Sequence, residues 1–139
     1  MKDQKRVRKM RDRERCFLKF VSDVVKLQKK QGGHWIVENP LSSAAWQQPE
    51  LKEVIDMSVM TVLDQCEYGL KSAEGGLQKK PTKMLVSDEK FVKYLSKRCR
   101  GGHDHAAVLG GPSISGRAGH YPEKLARAMI KGLFEVHSD

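Results

Sequence analysis

Four cysteine and histidine residues are candidate metal ligands: Cys66, Cys99, His103 and His105. Thiolate sulfur and imidazole nitrogen are the ligands that zinc prefers in closed tetrahedral sites. The spacing Cys-x-x-x-His-x-His places three of them on one glycine-containing turn, and Cys66 would join them from the end of a predicted strand. This spacing is not that of a standard zinc finger. The alternative is therefore that both cysteines are small core residues and both histidines are solvated.

A second candidate site is the end of a short apolar segment, residues 34–40. Its apolar residues are typical of a buried strand, and Pro40 forbids the strand ladder from continuing. Glu38 and Asn39 would lie at the carboxyl end of that strand, where open α/β sheets hold their ligands. A carboxylate there can accept two donors, as the Watson–Crick edge of a nucleobase requires. The alternative is a core strand followed by an ordinary turn.

The charge of the chain predicts an anionic partner. Its formal charge is +9, and the first fifteen residues hold eight Lys or Arg against three acids. We expect this basic arm to contact phosphates of DNA or RNA through Arg6, Arg8 and Lys9. Trp46, in a loop of small residues, could stack on a base. The alternatives are a nuclear address or a solvated, frayed helix start for the arm, and a core position for Trp46.

No early apolar stretch resembles a secretory signal, and no apolar run is long enough to span a membrane. Three unevenly spaced cysteines argue against a disulfide framework and fit a reducing compartment. We therefore expect an intracellular protein, cytoplasmic or nuclear, with no membrane partner.

Hydrophobic periodicity predicts alternating helices and strands. A helix over 16–28 carries Phe17, Phe20, Val21, Val24 and Leu27, and a glycine turn leads into the strand at 34–38. The remaining predicted elements are a helix opened by Pro49, strands at 57–63 and 83–87, a loop at 70–80, a helix capped by Asp88, an irregular Gly/His-rich loop at 99–120 and a helix opened by Pro122.

In this order, several short segments resemble the carboxyl-terminal half of cytosine-C5 DNA methyltransferases of the divergent phage type. They are Glu38-Asn39-Pro40 at a strand end, residues 65–69, residues 80–83 opening a strand and residues 121–128. Similar segments occur in copia-like retrotransposon polyproteins. The resemblance covers residues 16–134 and implies that Glu38 grips a base beside Asn39, that Lys80 and Lys83 lie near phosphate, and that Tyr68 contacts the nucleic acid.

The fold expected from this resemblance is α/β, with a mixed sheet of about three strands flanked by helices, like the later half of a Rossmann-like class I methyltransferase. Residues 1–15 would form the arm and residues 16–139 the half-domain. The Pro-Cys nucleophile and the glycine-rich cofactor loop of the family are not found in the sequence. We therefore expect no methyl transfer by the chain alone, with Glu38 and Asn39 as a vestigial catalytic pair.

Three functional hypotheses follow from the sequence. The first is a non-catalytic, nucleic-acid-associated module or fragment from a mobile-element polyprotein. The second is half of a split DNA methyltransferase, which would bind S-adenosylmethionine only when a partner chain completes it. The third is a zinc-stabilised interaction domain. A half-fold would also expose a sheet edge, which predicts self-association.

Overall fold

The structure is a computed structural model that describes residues 2–106 and 121–138. It has three helices and three strands in these ranges, together with short 3-10 turns. In chain order the elements are α1 (Lys2–Lys30), β1 (Ile36–Pro40), α2 (Lys52–Met57), β2 (Val59–Asp64), β3 (Pro81–Val86) and α3 (Glu123–His137). The mixed α/β character and the three strands predicted from sequence are therefore confirmed. The part of the predicted irregular loop that spans residues 107–120 lies outside the described residues.

The three strands form one antiparallel sheet in the order β1-β3-β2. Both β1 and β2 pair antiparallel with β3, with Pro40 and Leu63 opposite Thr82. The predicted mixed sheet is thus wrong in its pairing. Although β1 and β2 run parallel to each other, β3 separates them, so no parallel pair forms among the described strands. As a consequence, the carboxyl ends of β1 and β2 lie at the same edge of the sheet, on either side of the start of β3.

Each face of the sheet covers its own hydrophobic cluster. The alternation of side chains along a strand sends Met84 and Val86 to one face and Leu85 to the other. Met84 and Val86 pack with Phe91, Leu95 and the buried Leu125 of α3. On the opposite face, Leu85 is packed with residues from α1, α2 and the turns before α2, namely Leu18, Val25, Trp46, Leu51 and Val54.

Helix α1 is longer than predicted and uses a different face for packing. The basic arm is the first half of this one helix of 29 residues, which is about 44 Å long. Leu18, Val21 and Val25 contact the core, whereas the predicted packing residues Phe17, Phe20, Val24 and Leu27 are exposed. The prediction is confirmed for Val21 and wrong for the other four residues, because apolar residues lie on more than one side of this helix and only one side meets the core.

The segment after β3 also differs from its prediction. Asp88 does cap it, since the carboxylate accepts a hydrogen bond from the backbone N–H of Lys90 at 2.9 Å. The regular structure that follows is only a 3-10 turn, Glu89–Phe91, and not a full helix. Phe91 and Leu95 of this segment are buried in the core cluster beneath the sheet.

Helix α3 approaches this turn closely at Gly132. A Cβ atom added to Gly132 would lie 2.5 Å from Phe91 Cδ1. The missing side chain therefore allows the helix to rest on the Phe91 ring.

Among the described helices, none combines the length and the apolar character that a membrane crossing requires.

Candidate metal centre

Cys66 lies in the 3-10 turn Gln65–Tyr68, which directly follows β2. Its side chain is 5 % exposed. The turn is held to the start of β3, because the backbone N–H of Gln65 donates to the Lys79 carbonyl at 2.7 Å and its side-chain amide donates to Thr82 Oγ1 at 3.0 Å. The first candidate ligand thus sits on a rigid part of the fold.

Asp64 fastens Cys99 beside this turn. The carboxylate of Asp64 accepts hydrogen bonds from the backbone N–H of Cys99 at 2.7 Å and from the Arg98 guanidinium at 2.9 Å. The backbone N–H of Asp64 in turn donates to the Lys97 carbonyl at 2.9 Å. A further bond joins Arg100 N–H to the Glu67 carboxylate at 2.8 Å. Residues 97–100 are therefore bound to the end of β2 although they lie more than thirty positions away in the sequence.

Two consecutive glycines turn the chain between Cys99 and the histidines. Gly101 and Gly102 have φ values of +78° and +77°, in the left-handed region that side chains with a Cβ atom disfavour. After this turn, His103 and His105 both direct their Nε2 atoms back to Cys99. The glycine content of the segment therefore serves to bring the two imidazoles over the thiol.

The four candidate ligands converge on one point. Cys99 Sγ lies 3.5 Å from Nε2 of His103 and 3.5 Å from Nε2 of His105, and the two nitrogens are 3.0 Å apart. With Cys66 included, the four ligand atoms all lie within 4.8 Å of one another. In a tetrahedral zinc site the ligand atoms are separated by about 3.3–3.8 Å, given zinc bonds of about 2.3 Å to sulfur and 2.0–2.1 Å to nitrogen. The predicted cluster can thus hold a metal ion.

Burial, and then the hydrogen bond with Cys99, raises the pKa of the Cys66 thiol to about 11. Such a thiol is protonated at neutral pH and is a poor nucleophile, which argues against a catalytic role for it. A divalent cation at the centre of the cluster would reverse this preference, because a coordinating thiol is deprotonated by the metal charge. The environment suits a metal-bound cysteine better than a reactive one.

Two residues of this centre were missed in the sequence, Asp64 and Glu67. Burial alone would raise the pKa of Asp64, but the Cys99 N–H and the Arg98 guanidinium hold that pKa below its usual value. Asp64 is 1 % exposed. The one signal for Asp64 in the sequence is a carboxylate at the end of an otherwise apolar strand, the same pattern that Glu38 shows.

We expect Asp64→Asn to weaken zinc binding by about 10- to 100-fold, the usual cost of losing a group that orients a metal ligand. The amide keeps the size of the carboxylate but loses the charge that holds Arg98 and the Cys99 backbone. Competition with a chromogenic chelator measures the affinity. Asp56→Asn, the same change at an exposed position on α2, is the control. Equal zinc affinities in the two variants would show that the Asp64 carboxylate does not help to position Cys99.

Glu38 and Asn39 lie on β1 as predicted, but their side chains leave the sheet on opposite faces. Glu38 accepts a hydrogen bond from Tyr121; burial, and then this hydrogen bond, raises the pKa of the tyrosine. The Asn39 amide donates to Ser43 Oγ at 3.0 Å. The two residues therefore do not face a common ligand, and Glu38 already has a partner in this structure.

The aromatic residues of the predicted nucleic-acid site are part of the core. Trp46 is 9 % exposed, and its indole N–H donates to the Pro40 carbonyl at 2.9 Å. Tyr68 is 2 % exposed, and its hydroxyl donates to the Tyr94 carbonyl at 2.6 Å. Neither ring presents a face on which a base could stack.

The predicted phosphate contacts are distributed over two regions. Lys83 lies opposite Asn39 on β3, with its Nζ atom 5.1 Å from the centre of the Trp46 ring. Lys80 precedes β3 and has a positive φ of 38°. Arg6, Arg8 and Lys9 are exposed on the first half of α1. The sheet-edge lysines and the arm thus belong to separate elements.

Comparisons of this chain with protein-family models, with curated proteins and with solved structures gave no match. The functional conclusion therefore rests on the arrangement of the residues themselves.

Proposed function

We propose that this chain is a zinc-stabilised domain that associates with nucleic acid. The observation that carries the proposal is the convergence of Cys66, Cys99, His103 and His105, whose four ligand atoms lie within 4.8 Å of one another. Four protein ligands of the thiolate and imidazole type are the set of a closed, structural zinc site. Such a site leaves no open coordination position for a substrate, so the role proposed for the metal is structural.

The metal would add to the hydrogen bonds that already join residues 97–100 to the end of β2. The cluster joins the turn after β2 to residues 99–105, a segment without helix or strand. Hydrogen bonds from Asp64 and Glu67 already bring this segment into place. A zinc ion would add bonds that a short, glycine-rich loop cannot obtain from hydrophobic burial. Because the site would form only in the folded chain, the free energy of metal binding would add to the stability of the fold.

Nucleic-acid association is proposed from the distribution of charge. More than half of the net charge of +9 is carried by the first fifteen residues. In the structure these residues extend along α1, and the described side chains from residue 3 to residue 16 are all exposed. A row of exposed cations on a helix is available to phosphates, and release of counterions from the nucleic acid would drive binding.

We expect binding of the zinc-loaded protein to a single-stranded oligonucleotide to fall steeply with salt. If four cations contact phosphates, the logarithmic slope is about −2.8, and the affinity falls about 50-fold between 50 and 200 mM salt. Fluorescence anisotropy with a labelled oligonucleotide measures this slope. The absence of binding at low salt, in protein with one zinc per chain, would remove nucleic acid from the proposal and leave the zinc-stabilised interaction domain.

The resemblance to cytosine-C5 methyltransferases supports a second candidate function, half of a split enzyme. The observation in its favour is that the carboxyl ends of β1 and β2 lie at the same edge of the sheet, on either side of Thr82. This candidate predicts S-adenosylmethionine binding only after a partner chain is added. Calorimetric titrations with S-adenosylmethionine, DNA and RNA in parallel test it. Binding of S-adenosylmethionine to the chain without a partner would contradict both the half-enzyme hypothesis and the non-catalytic module hypothesis.

A further inference from the structure

A groove of about 1180 Å³ runs between the first half of α1 and the turn that follows β1. The α1 wall carries four cations and two anions. They are Arg8, Arg11, Arg13 and Arg15, with Asp12 and Glu14. Arg15 is paired with Glu50 at 2.9 Å, so part of its charge is neutralised. The wall as a whole remains cationic.

Helical periodicity places three of the four cations on one side of α1. Arg8, Arg11, Arg15 and Leu18 follow one another at intervals of three, four and three residues, so they share one face of α1. Leu18 is the buried residue with which this face begins to pack on the core. Where the helix extends past the sheet, the same face carries arginines instead of apolar side chains. The groove is therefore the continuation of the α1 packing surface beyond the edge of the core.

The opposite wall combines Ala44 and Ala45 with polar groups that suit a phosphate or a base. It includes Asn39, Ser43 and Gln48. The Ser43 hydroxyl oxygen accepts hydrogen bonds from the Asn39 amide and from the Ala45 backbone N–H, and its own hydrogen can then donate to an anionic oxygen. Phe17 also lines the groove, and its side chain is 63 % exposed. Cations beside an exposed aromatic ring are the combination that single-stranded nucleic acid recognises.

We propose that this groove binds single-stranded nucleic acid, with phosphates along Arg8 and Arg11 and a base stacked on Phe17. The proposal rests on the nucleic-acid association inferred above and assigns it to one surface. A duplex keeps its base faces inside the stack, so Phe17 would give it no advantage. Asn39, one of the residues singled out in the sequence, acts here as part of the groove wall.

Two pairs of substitutions on the same helix test the charge contribution. Arg8→Gln with Arg11→Gln removes two cations that line the groove, whereas Arg6→Gln with Lys9→Gln removes two that do not. Binding of a twelve-nucleotide oligothymidylate to zinc-loaded protein is measured over a salt series. The affinity of the Arg8→Gln, Arg11→Gln variant should fall at least about tenfold. The magnitude of its logarithmic salt slope should decrease by about 1.4. The logarithm of the affinity should fall less than half as much in the Arg6→Gln, Lys9→Gln control.

Two phenylalanines of equal exposure test the stacking contribution. Phe17 lines the groove and Phe20 does not, although each is 63 % exposed on α1. Phe17→Leu should weaken oligothymidylate binding by about tenfold, within the range known for base–aromatic stacking. Phe20→Leu should leave it unchanged. A duplex of equal length should bind more weakly to the wild-type chain and should not respond to Phe17→Leu.

The outcomes separate this proposal from the one on which it rests. If zinc-loaded wild-type protein binds no oligonucleotide at low salt, the nucleic-acid function itself fails. If it binds, but the two cation-pair variants lose affinity equally or Phe17→Leu and Phe20→Leu have the same affinity, only the assignment to the groove is wrong. The basic arm would then attract nucleic acid through its overall charge. Tighter binding of the duplex than of the single strand also overturns the groove assignment.

Discussion

Replacement of Cys99 by serine is expected to abolish stoichiometric zinc binding and to lower the thermal midpoint of unfolding by more than about 10 °C. Cys99 contacts both histidines of the candidate site, with 3.5 Å between its Sγ atom and each Nε2 atom. Apparent binding free energies of structural zinc reach about 10–16 kcal/mol in small fingers. The described residues form two hydrophobic clusters that need no metal, so we expect the loss of zinc to cost only part of this free energy. A cost of more than about 4 kcal/mol corresponds to the expected shift of the midpoint.

Cys16→Ser is the matched control for this experiment. Cys16 is an exposed free cysteine on α1, and it is not one of the clustered ligands. Zinc content by elemental analysis and unfolding by circular dichroism are measured for both variants, before and after chelator treatment. We expect Cys16→Ser to behave like the wild-type chain in every respect. A Cys99→Ser protein that keeps one zinc per chain and an unchanged midpoint would contradict the site.

Replacement of Phe91 by alanine should destabilise the fold by about 3–5 kcal/mol, the usual cost of emptying a buried aromatic position. Phe91 is 1 % exposed and contacts the core cluster between the sheet and α3. Helix α3 rests on its ring at Gly132, so the cavity would open at a place where the helix cannot easily move inward. Urea unfolding of zinc-loaded protein measures the change in free energy.

The Phe91 variant also separates a core defect from a metal defect. Because zinc binds the folded chain, a free-zinc concentration about a thousandfold above the dissociation constant should add about 4 kcal/mol to the stability of Phe91→Ala. The same addition should do nothing for Cys99→Ser. If added zinc stabilised both variants equally, or neither, the metal would not be coupled to folding through the proposed ligands.

The sequence predicted the local elements that depend on short-range chemistry. The loop before Pro81 and the cap by Asp88 follow from proline geometry and side-chain hydrogen bonding, and both are present. The strand before Pro40 is also present, although it spans residues 36–40 and not the predicted 34–38. The candidate metal cluster was also predicted from residue type, because Cys99, His103 and His105 lie close together in the sequence on one glycine-containing turn. These features required no knowledge of tertiary contacts.

Features that depend on long-range packing were not predictable in the same way. The position of β3 between β1 and β2 is set by how the chain returns through residues 69–80, which leaves no periodic signal. The choice of Leu18 and Val25 over Phe17 and Phe20 as packing residues depends on which side of α1 meets the sheet. Asp64 acquires its role only through Arg98 and Cys99, which lie far away in the sequence.

The most direct test of the zinc site is X-ray absorption at the zinc edge, on protein purified with one metal ion per chain. We expect two sulfur ligands at about 2.3 Å and two imidazole nitrogens at about 2.0–2.1 Å. In Cys66→Ser, we expect one sulfur ligand fewer, with an oxygen atom of the serine or of water in its place. A shell of nitrogen and oxygen alone in the wild-type protein, or failure to retain any zinc, would contradict the assignment of Cys66, Cys99, His103 and His105 as its ligands.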